Sequence, residues 1–145
     1  MEKITIIKKD NYLVLIKNSI GGTTWRQAYG LINGRKKNLT QNGDLACAYF
    51  VSSILKIFDL IGNLHLTVTG TIKDLENSGW EKITKNKISP GDIIIWQAKN
   101  NHQHIGFYLG DKKAVSNDSK TGKIKSHHYT FNGQREIETV WQHKI

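Results

Sequence analysis

The sequence predicts an α+β fold, with helices early in the chain and an antiparallel meander of strands after them. Three observations carry that prediction. Between Asp44 and about Ile61, apolar residues Tyr49, Phe50, Ile54, Leu55, Phe58 and Ile61 recur near helical spacing. From Trp80 onward the pattern changes to short β-branched and aromatic runs such as "DIIIW" and "HIGFYLG". Turn signals at Pro90-Gly91, "NNHQ", "DKK" and "KTG" punctuate those runs.

Taken in order, Lys3 to Lys17 holds two strand-like runs, "ITIIK" and "YLVLIK", with "KKDN" as the turn between them. Turn signals follow at Gly21-Gly22 and at Asn33-Gly34, the favoured pair for a two-residue hairpin. Residues 1–40 therefore read as a β-rich N-terminal extension of a single domain covering 1–145. Asp44 is the expected N-cap of the main helix, which Gly62-Asn63 ends. A second, short helix is expected from Thr71, with Thr71 and Asp74 as its capping box and Ser78-Gly79 as its stop. Strands are then expected from Asp92 to Trp96, at "HIGFYLG", at "AVSND", at "IKSHHYTF" and at "IETVWQH".

Composition narrows the function classes. The 145 residues are 38% hydrophobic and 23% charged, ordinary for one globular domain with a core of its own. A single cysteine excludes an internal disulfide. The N-terminal stretch is broken by charges, so it reads as neither signal peptide nor membrane anchor. No segment approaches the roughly 20 apolar residues of a membrane span. The expectation is a soluble protein made in the cytoplasm, any export following a non-signal route. The net charge of +9 favours anionic polymers as partners. A solvated lysine-rich surface explains that charge equally well, because no basic run exceeds three residues.

The chemistry centres on Cys47. With Asp44 as N-cap, Cys47 is the third helical residue, where free N–H groups and the helix dipole stabilise a thiolate and lower its pKa. Alone, the same residue reads as a small apolar core side chain. A thiol nucleophile needs a base, and His104 opens a strand that follows a buried one. A third polar group would orient that imidazole. If Leu109 faces Ala114 across the "DKK" turn, Gly106 faces Asn117 and Asn117 becomes the diagonal neighbour of His104. A one-residue slip selects Ser116 or Asp118 instead.

The runs "CAYFVSSIL", "SGWEKI…KISPGDIIIWQ" and "HIGFYLGDKKAVSN" together resemble the papain-like cell-wall amidases and peptidases of the NlpC and CHAP type. The resemblance covers Asp44 to Asn117, and residues 1 to 40 match no pattern of these families. It implies a helix that opens on the cysteine and packs on an antiparallel sheet, with Cys47, His104 and Asn117 in the catalytic positions. It also implies a thiol hydrolase of an amide bond, commonly in peptidoglycan, needing no cofactor. These families often carry Asp-Cys-Ser-Gly where this chain has Leu45-Ala46-Cys47-Ala48, which leaves subfamily and substrate open. The oxyanion donors would be the Cys47 N–H and a group from the preceding loop, with Gln41 and Asn42 as candidates. Trp25, Tyr29 and Trp96 are candidates to line the cleft, though each also reads as a packing aromatic.

Three other readings stand beside this one. His102, His104, His127 and His128 with Cys47 would make a zinc site if they converged. Failing that, one of His127 and His128 would face the cleft as a substrate contact. A basic module that binds polyanions would need neither Cys47 nor His104. An effector or toxin acting on a protein or lipid amide would use the same residues as the cell-wall enzyme.

Overall fold

The computed structural model describes residues 1–145. The chain runs α1 (Lys8–Asn18), β1 (Tyr29–Ile32), β2 (Arg35–Asn38), α2 (Cys47–Ile57), α3 (Val68–Asn77), β3 (Glu81–Ile83), β4 (Ile93–Lys99), β5 (His102–Gly110), β6 (Lys113–Asn117), β7 (Ile124–His128) and β8 (Ile137–Gln142). Strands β3 to β8 form one antiparallel six-stranded sheet in the order β3-β8-β4-β5-β6-β7. This is the α+β arrangement the sequence predicts. No helix is long and apolar enough to cross a membrane.

The N-terminal strands are not formed. Lys8–Asn18 is a helix, and residues 1–7 have no regular structure. Tertiary packing overrides the β propensity of "YLVLIK". Tyr12 and Ile16, one helical turn apart, are both fully buried. The Tyr12 hydroxyl donates to the Gly91 carbonyl at 2.7 Å, and its ring meets Phe58 and Phe107 edge-on. The extension is thus a helix plus a hairpin. That hairpin, β1–β2, does turn at Asn33-Gly34, both with positive φ (52° and 77°) as a type I′ turn requires.

The main helix starts later than Asp44. Thr40 to Leu45 is a turn in which the Gly43 and Leu45 N–H groups both donate to the Thr40 carbonyl, and Ala46 is the N-cap. Cys47 is therefore the first helical residue. The second helix starts earlier than expected, because Thr67 caps it through an Oγ1 that accepts from the Gly70 N–H at 3.0 Å. Asp74 does not cap. It accepts from the Gly62 and Asn63 N–H groups at 3.0 and 2.9 Å, lies 2.6 Å from His65 Nε2, and accepts from the Ser78 hydroxyl at 2.9 Å. That knot fixes the loop between α2 and α3.

The sheet is apolar on both faces, which explains the unbroken "IIIW" run of β4. On the helix side, Phe50, Ile54 and Leu55 of α2 pack on Ile93, Ile95, Phe107 and Val115. On the other side, Ile94, Trp96, Tyr108, Ala114, Ile137 and Val140 pack under Tyr129 and Phe131 of the β7–β8 connection. Each fully buried isoleucine or phenylalanine contributes roughly 1.5–3 kcal/mol of transfer free energy.

The β5–β6 register differs from expectation. Tyr108 pairs with Ala114 and Phe107 with Val115, so Gly106 lies opposite Ser116, not Asn117. The turn is only Asp111-Lys112, both with positive φ (51° and 62°), and the pairing shifts between Tyr108 and Gly110. The slip exchanges the faces of Ser116 and Asn117.

Candidate active site

Cys47, His104, Asn117, Phe131 and Arg135 line a cleft of about 770 Å³ between the start of α2 and the ends of the central strands. The cysteine enters it from the α2 N-terminus. The backbone N–H groups of Ile105 on β5, of Ala48 and of Cys47 itself favour the thiolate. Cys47 keeps some exposed surface, yet the packing around its sulfur is dense. Burial pushes the thiol above its ordinary value of 9.0, and the three N–H groups and the Arg135 charge offset only part of that. The helix-start effect expected from the sequence is present, but desolvation outweighs it. The resting group is a thiol.

His104 stands on β5 across from Trp96 of β4. It is the third residue of its strand, because His102 and Gln103 extend the strand into the expected "NNHQ" loop. Its ring packs against Trp96 at 5.2 Å and Phe131 at 5.9 Å. Burial among these aromatics, helped by the nearby Arg135 charge and by His127, lowers its pKa to about 3, against a weak opposite pull from Asp118. His104 is a neutral imidazole across the physiological range. Gly106, two residues on, is required here: a Cβ would stand 2.7 Å from the Val115 carbonyl oxygen and 2.8 Å from Ser116 Cβ. That close approach lets Ser116 reach the histidine.

Ser116, not Asn117, meets His104, with Oγ 2.9 Å from His104 Nε2. Asn117 points to the other side of β6. Its amide donates to the Gly43 carbonyl at 2.7 Å and so braces the loop before α2, while its Oδ1 is buried without a partner. Asp118 is held by the Thr121 hydroxyl at 2.7 Å and Lys125 at 3.1 Å, away from the imidazole.

The other candidates from the sequence lie elsewhere. Asn42 is exposed and accepts at Oδ1 from the Asn38 amide at 2.8 Å, and Gln41 sits in the same turn, so neither reaches the cleft as an oxyanion donor. Tyr29 is exposed on β1 under Lys36. Trp25, partly buried, packs edge-on against Phe50 at 4.8 Å at the margin of the core. Trp96 is fully buried behind His104, its indole donating to the Tyr129 carbonyl at 2.7 Å. It is a wall for the imidazole, not a cleft surface. Among the zinc candidates, His127 Nε2 lies 2.7 Å from Ser116 Oγ and His128 Nδ1 accepts from the Thr130 N–H. No group of three or more His, Cys, Asp or Glu side chains could hold a metal ion.

Sequence reasoning missed Arg135. It donates to the Gln97 carbonyl at 3.0 Å and the His102 carbonyl at 2.7 Å, which aims the guanidinium along the cleft wall. Burial lowers its pKa and the nearby Cys47 raises it, yet it remains the fixed positive charge beside the thiol. It sits in an irregular segment where no periodicity could single it out. Lys99 and Lys120 add positive charge to the rim, against the one acidic residue, Asp44.

Comparison with known proteins bears on the family and the fold. The model of the NlpC/P60 family matches residues 22–142. Two solved structures from Trichomonas vaginalis are similar in fold. NlpC2 is 16% identical with a TM-score of 0.59, covering 97% of this chain and 50% of that one. NlpC1 is 15% identical with a TM-score of 0.60, covering 98% and 47%. The chain thus spans about half the length of these structures. No curated protein matches it.

Proposed function

Since the chain belongs to the NlpC/P60 family, whose members are generally cysteine peptidases or amidases, we propose that it hydrolyses an amide bond of bacterial cell-wall peptide, with Cys47 as nucleophile and His104 as base. The observation that supports this reading is that Cys47, the first residue of α2, and His104, on the central strand β5, line the same cleft. Both groups are neutral at rest. The imidazole therefore takes the thiol proton as the sulfur attacks the carbonyl, instead of forming an ion pair beforehand. The C–S bond forms as the carbonyl π bond opens. His104 then gives its proton to the leaving amine as the C–N bond breaks. Water, deprotonated by His104, hydrolyses the thioester and returns the thiol.

The developing oxyanion would be met by the Cys47 and Ala48 N–H groups at the open end of α2. The positive rim favours a substrate rich in carboxylates, as wall peptides are, over a neutral lipid amide.

The test is turnover of defined muropeptides by wild type, Cys47→Ala and His104→Ala, with mass spectrometry of the enzyme. Wild type should release new amine ends and carry a transient acyl adduct on Cys47, and both variants should lose activity. Turnover that survives Cys47→Ala would overturn the proposal.

A further inference from the structure

Behind His104 stands a row of hydrogen-bonding groups that crosses β5, β6 and β7. His104 Nε2 lies 2.9 Å from Ser116 Oγ, Ser116 Oγ lies 2.7 Å from His127 Nε2, and His127 Nδ1 lies 2.8 Å from the His128 carbonyl oxygen. The row is built by strand register. Ala114 pairs with His127 and Ser116 with Lys125, while Gly106 clears the space in front of Ser116. It is also clamped: the His127 ring stacks on Phe131 at 4.0 Å and 15°, and Trp96 borders both imidazoles.

One end of this row is fixed, and the rest follows. A carbonyl oxygen only accepts, so His127 Nδ1 must carry hydrogen. A neutral His127 then has a bare Nε2, which accepts from the Ser116 hydroxyl. The single Ser116 proton is used there, so its oxygen accepts from His104 and His104 Nε2 carries hydrogen. The Nδ1 of His104 is left as a lone pair, and it makes no hydrogen bond within the protein. We propose that the His128 carbonyl, His127 and Ser116 form a positioning relay that selects the Nε2–H tautomer of His104 and keeps its Nδ1 lone pair available to the thiol. The proposal rests on His104 as the base of the reaction. It adds two positioning residues, one of them two strands away from the base.

The relay also has a direction of failure. If His127 gains a proton at Nε2, both its nitrogens donate and Ser116 must accept from it. The Ser116 hydroxyl then turns toward His104 Nε2, which must be bare. His104 exchanges its one proton through cleft water to Nδ1, and the Nδ1 lone pair is lost. The titratable and charged groups around His127 are His104 from β5, Asp118 just past β6, Lys125 and His128 from β7, and Arg135 from the β7–β8 connection. Burial and the His128 neighbour lower the His127 pKa, against the His128 carbonyl bond, so the neutral relay is the form present near neutral pH.

The experiment is long-range ¹H–¹⁵N correlation of the histidine rings, alongside pH profiles of muropeptide turnover, for wild type, Ser116→Ala, His127→Phe and His127→Gln. Wild type at pH 7.5 should show His104 protonated at Nε2. His127→Phe keeps the stack on Phe131 but removes the acceptor, and Ser116→Ala removes the link. Either should give a mixed His104 tautomer and lower kcat about 10- to 100-fold with KM nearly unchanged. His127→Gln, whose amide oxygen can accept from Ser116, should recover much of both signals. If His127→Phe does not fold, Ser116→Ala, which deletes only a hydroxyl, carries the test. An Nδ1–H tautomer in wild type, or unchanged tautomer and pH profile in the variants, would overturn the relay. The tautomer is read without turnover. A protein inactive on muropeptides but correctly tautomerised would count against the substrate and leave the relay standing.

Discussion

Two polar clusters in this molecule are each built around a histidine, and they differ in the partner that the histidine meets. At the α2–α3 loop, His65 sits against the carboxylate of Asp74, which also receives two backbone N–H groups and a hydroxyl. Burial alone would raise that carboxyl, but those bonds outweigh it and hold it at about 2. In the cleft, His104 meets a serine hydroxyl and aromatic rings, and no carboxylate touches it. Its pKa falls to about 3. A carboxylate partner makes a histidine cluster a fastener, because charge-assisted bonds tie the loop down. Leaving the carboxylate out leaves the imidazole neutral.

The contrast is broken most sharply by exchanging the readouts. His104→Ala should cost about 10³-fold or more in kcat/KM, with a melting temperature close to that of wild type. Asp74→Asn should do the reverse. It leaves the Gly62 and Asn63 N–H groups poorly matched and costs about 1–3 kcal/mol of stability, with kcat/KM within about twofold. Calorimetry and a turnover assay on the two variants check both halves. A large activity loss in Asp74→Asn would mean that the loop and the cleft are coupled.

Acid separates the clusters next. His104 is neutral in the folded protein down to about pH 3, whereas the unfolded chain protonates it near 6.5. The unfolded state then binds more protons between those values, so stability falls as pH drops from 6.5 toward 3, by on the order of 3–5 kcal/mol from this group. Asp74 acts lower. Its depressed pKa gives stability that is complete above 3.8 and is lost as pH falls toward 2. Urea midpoints measured from pH 7 to pH 3 should therefore decline, and His104→Ala should flatten the upper part of that decline. An equal decline in both proteins would remove His104 as its cause.

How far the sequence reached follows the same division between local and non-local causes. The Asn33-Gly34 turn and the buried strand before His104 are written in adjacent residues, and both are found, whereas the α2 start lies at Ala46-Cys47 and not at Asp44. The strands expected at Lys3 to Lys17 failed because the burial of Tyr12 and Ile16 against Gly91, Phe58 and Phe107 is a long-range fact. Asn117 and Ser116 differ by a single residue of register, set by a two-residue turn whose length no pattern announces. His127 was visible as one of an adjacent pair, but its place behind Ser116 needs the β6–β7 pairing. The depressed thiol pKa was expected from the helix dipole alone, and the density of packing around the sulfur reverses it.

The smallest expected effect concerns Arg135, the one fixed cation that both Cys47 and His104 feel. Its charge lowers the thiol pKa and makes His104 harder to protonate. Arg135→Gln should therefore slow iodoacetamide alkylation of Cys47 by about two- to fivefold at pH 7.5 and move the acid limb of turnover upward. The alkylation difference should vanish at high pH, where the thiolate is fully formed in both proteins. Arg135 also donates to the Gln97 and His102 carbonyls, so its loss loosens the β4–β5 end as well. Arg135→Lys separates the two roles, since it keeps the charge but cannot bridge both carbonyls in the same way. If the lysine variant alkylates at the wild-type rate, the field of the cation tunes the thiol. If it alkylates as slowly as the glutamine variant, the carbonyl bridge is what matters, and the contrast between a carboxylate-tied and a carboxylate-free histidine then needs no help from Arg135.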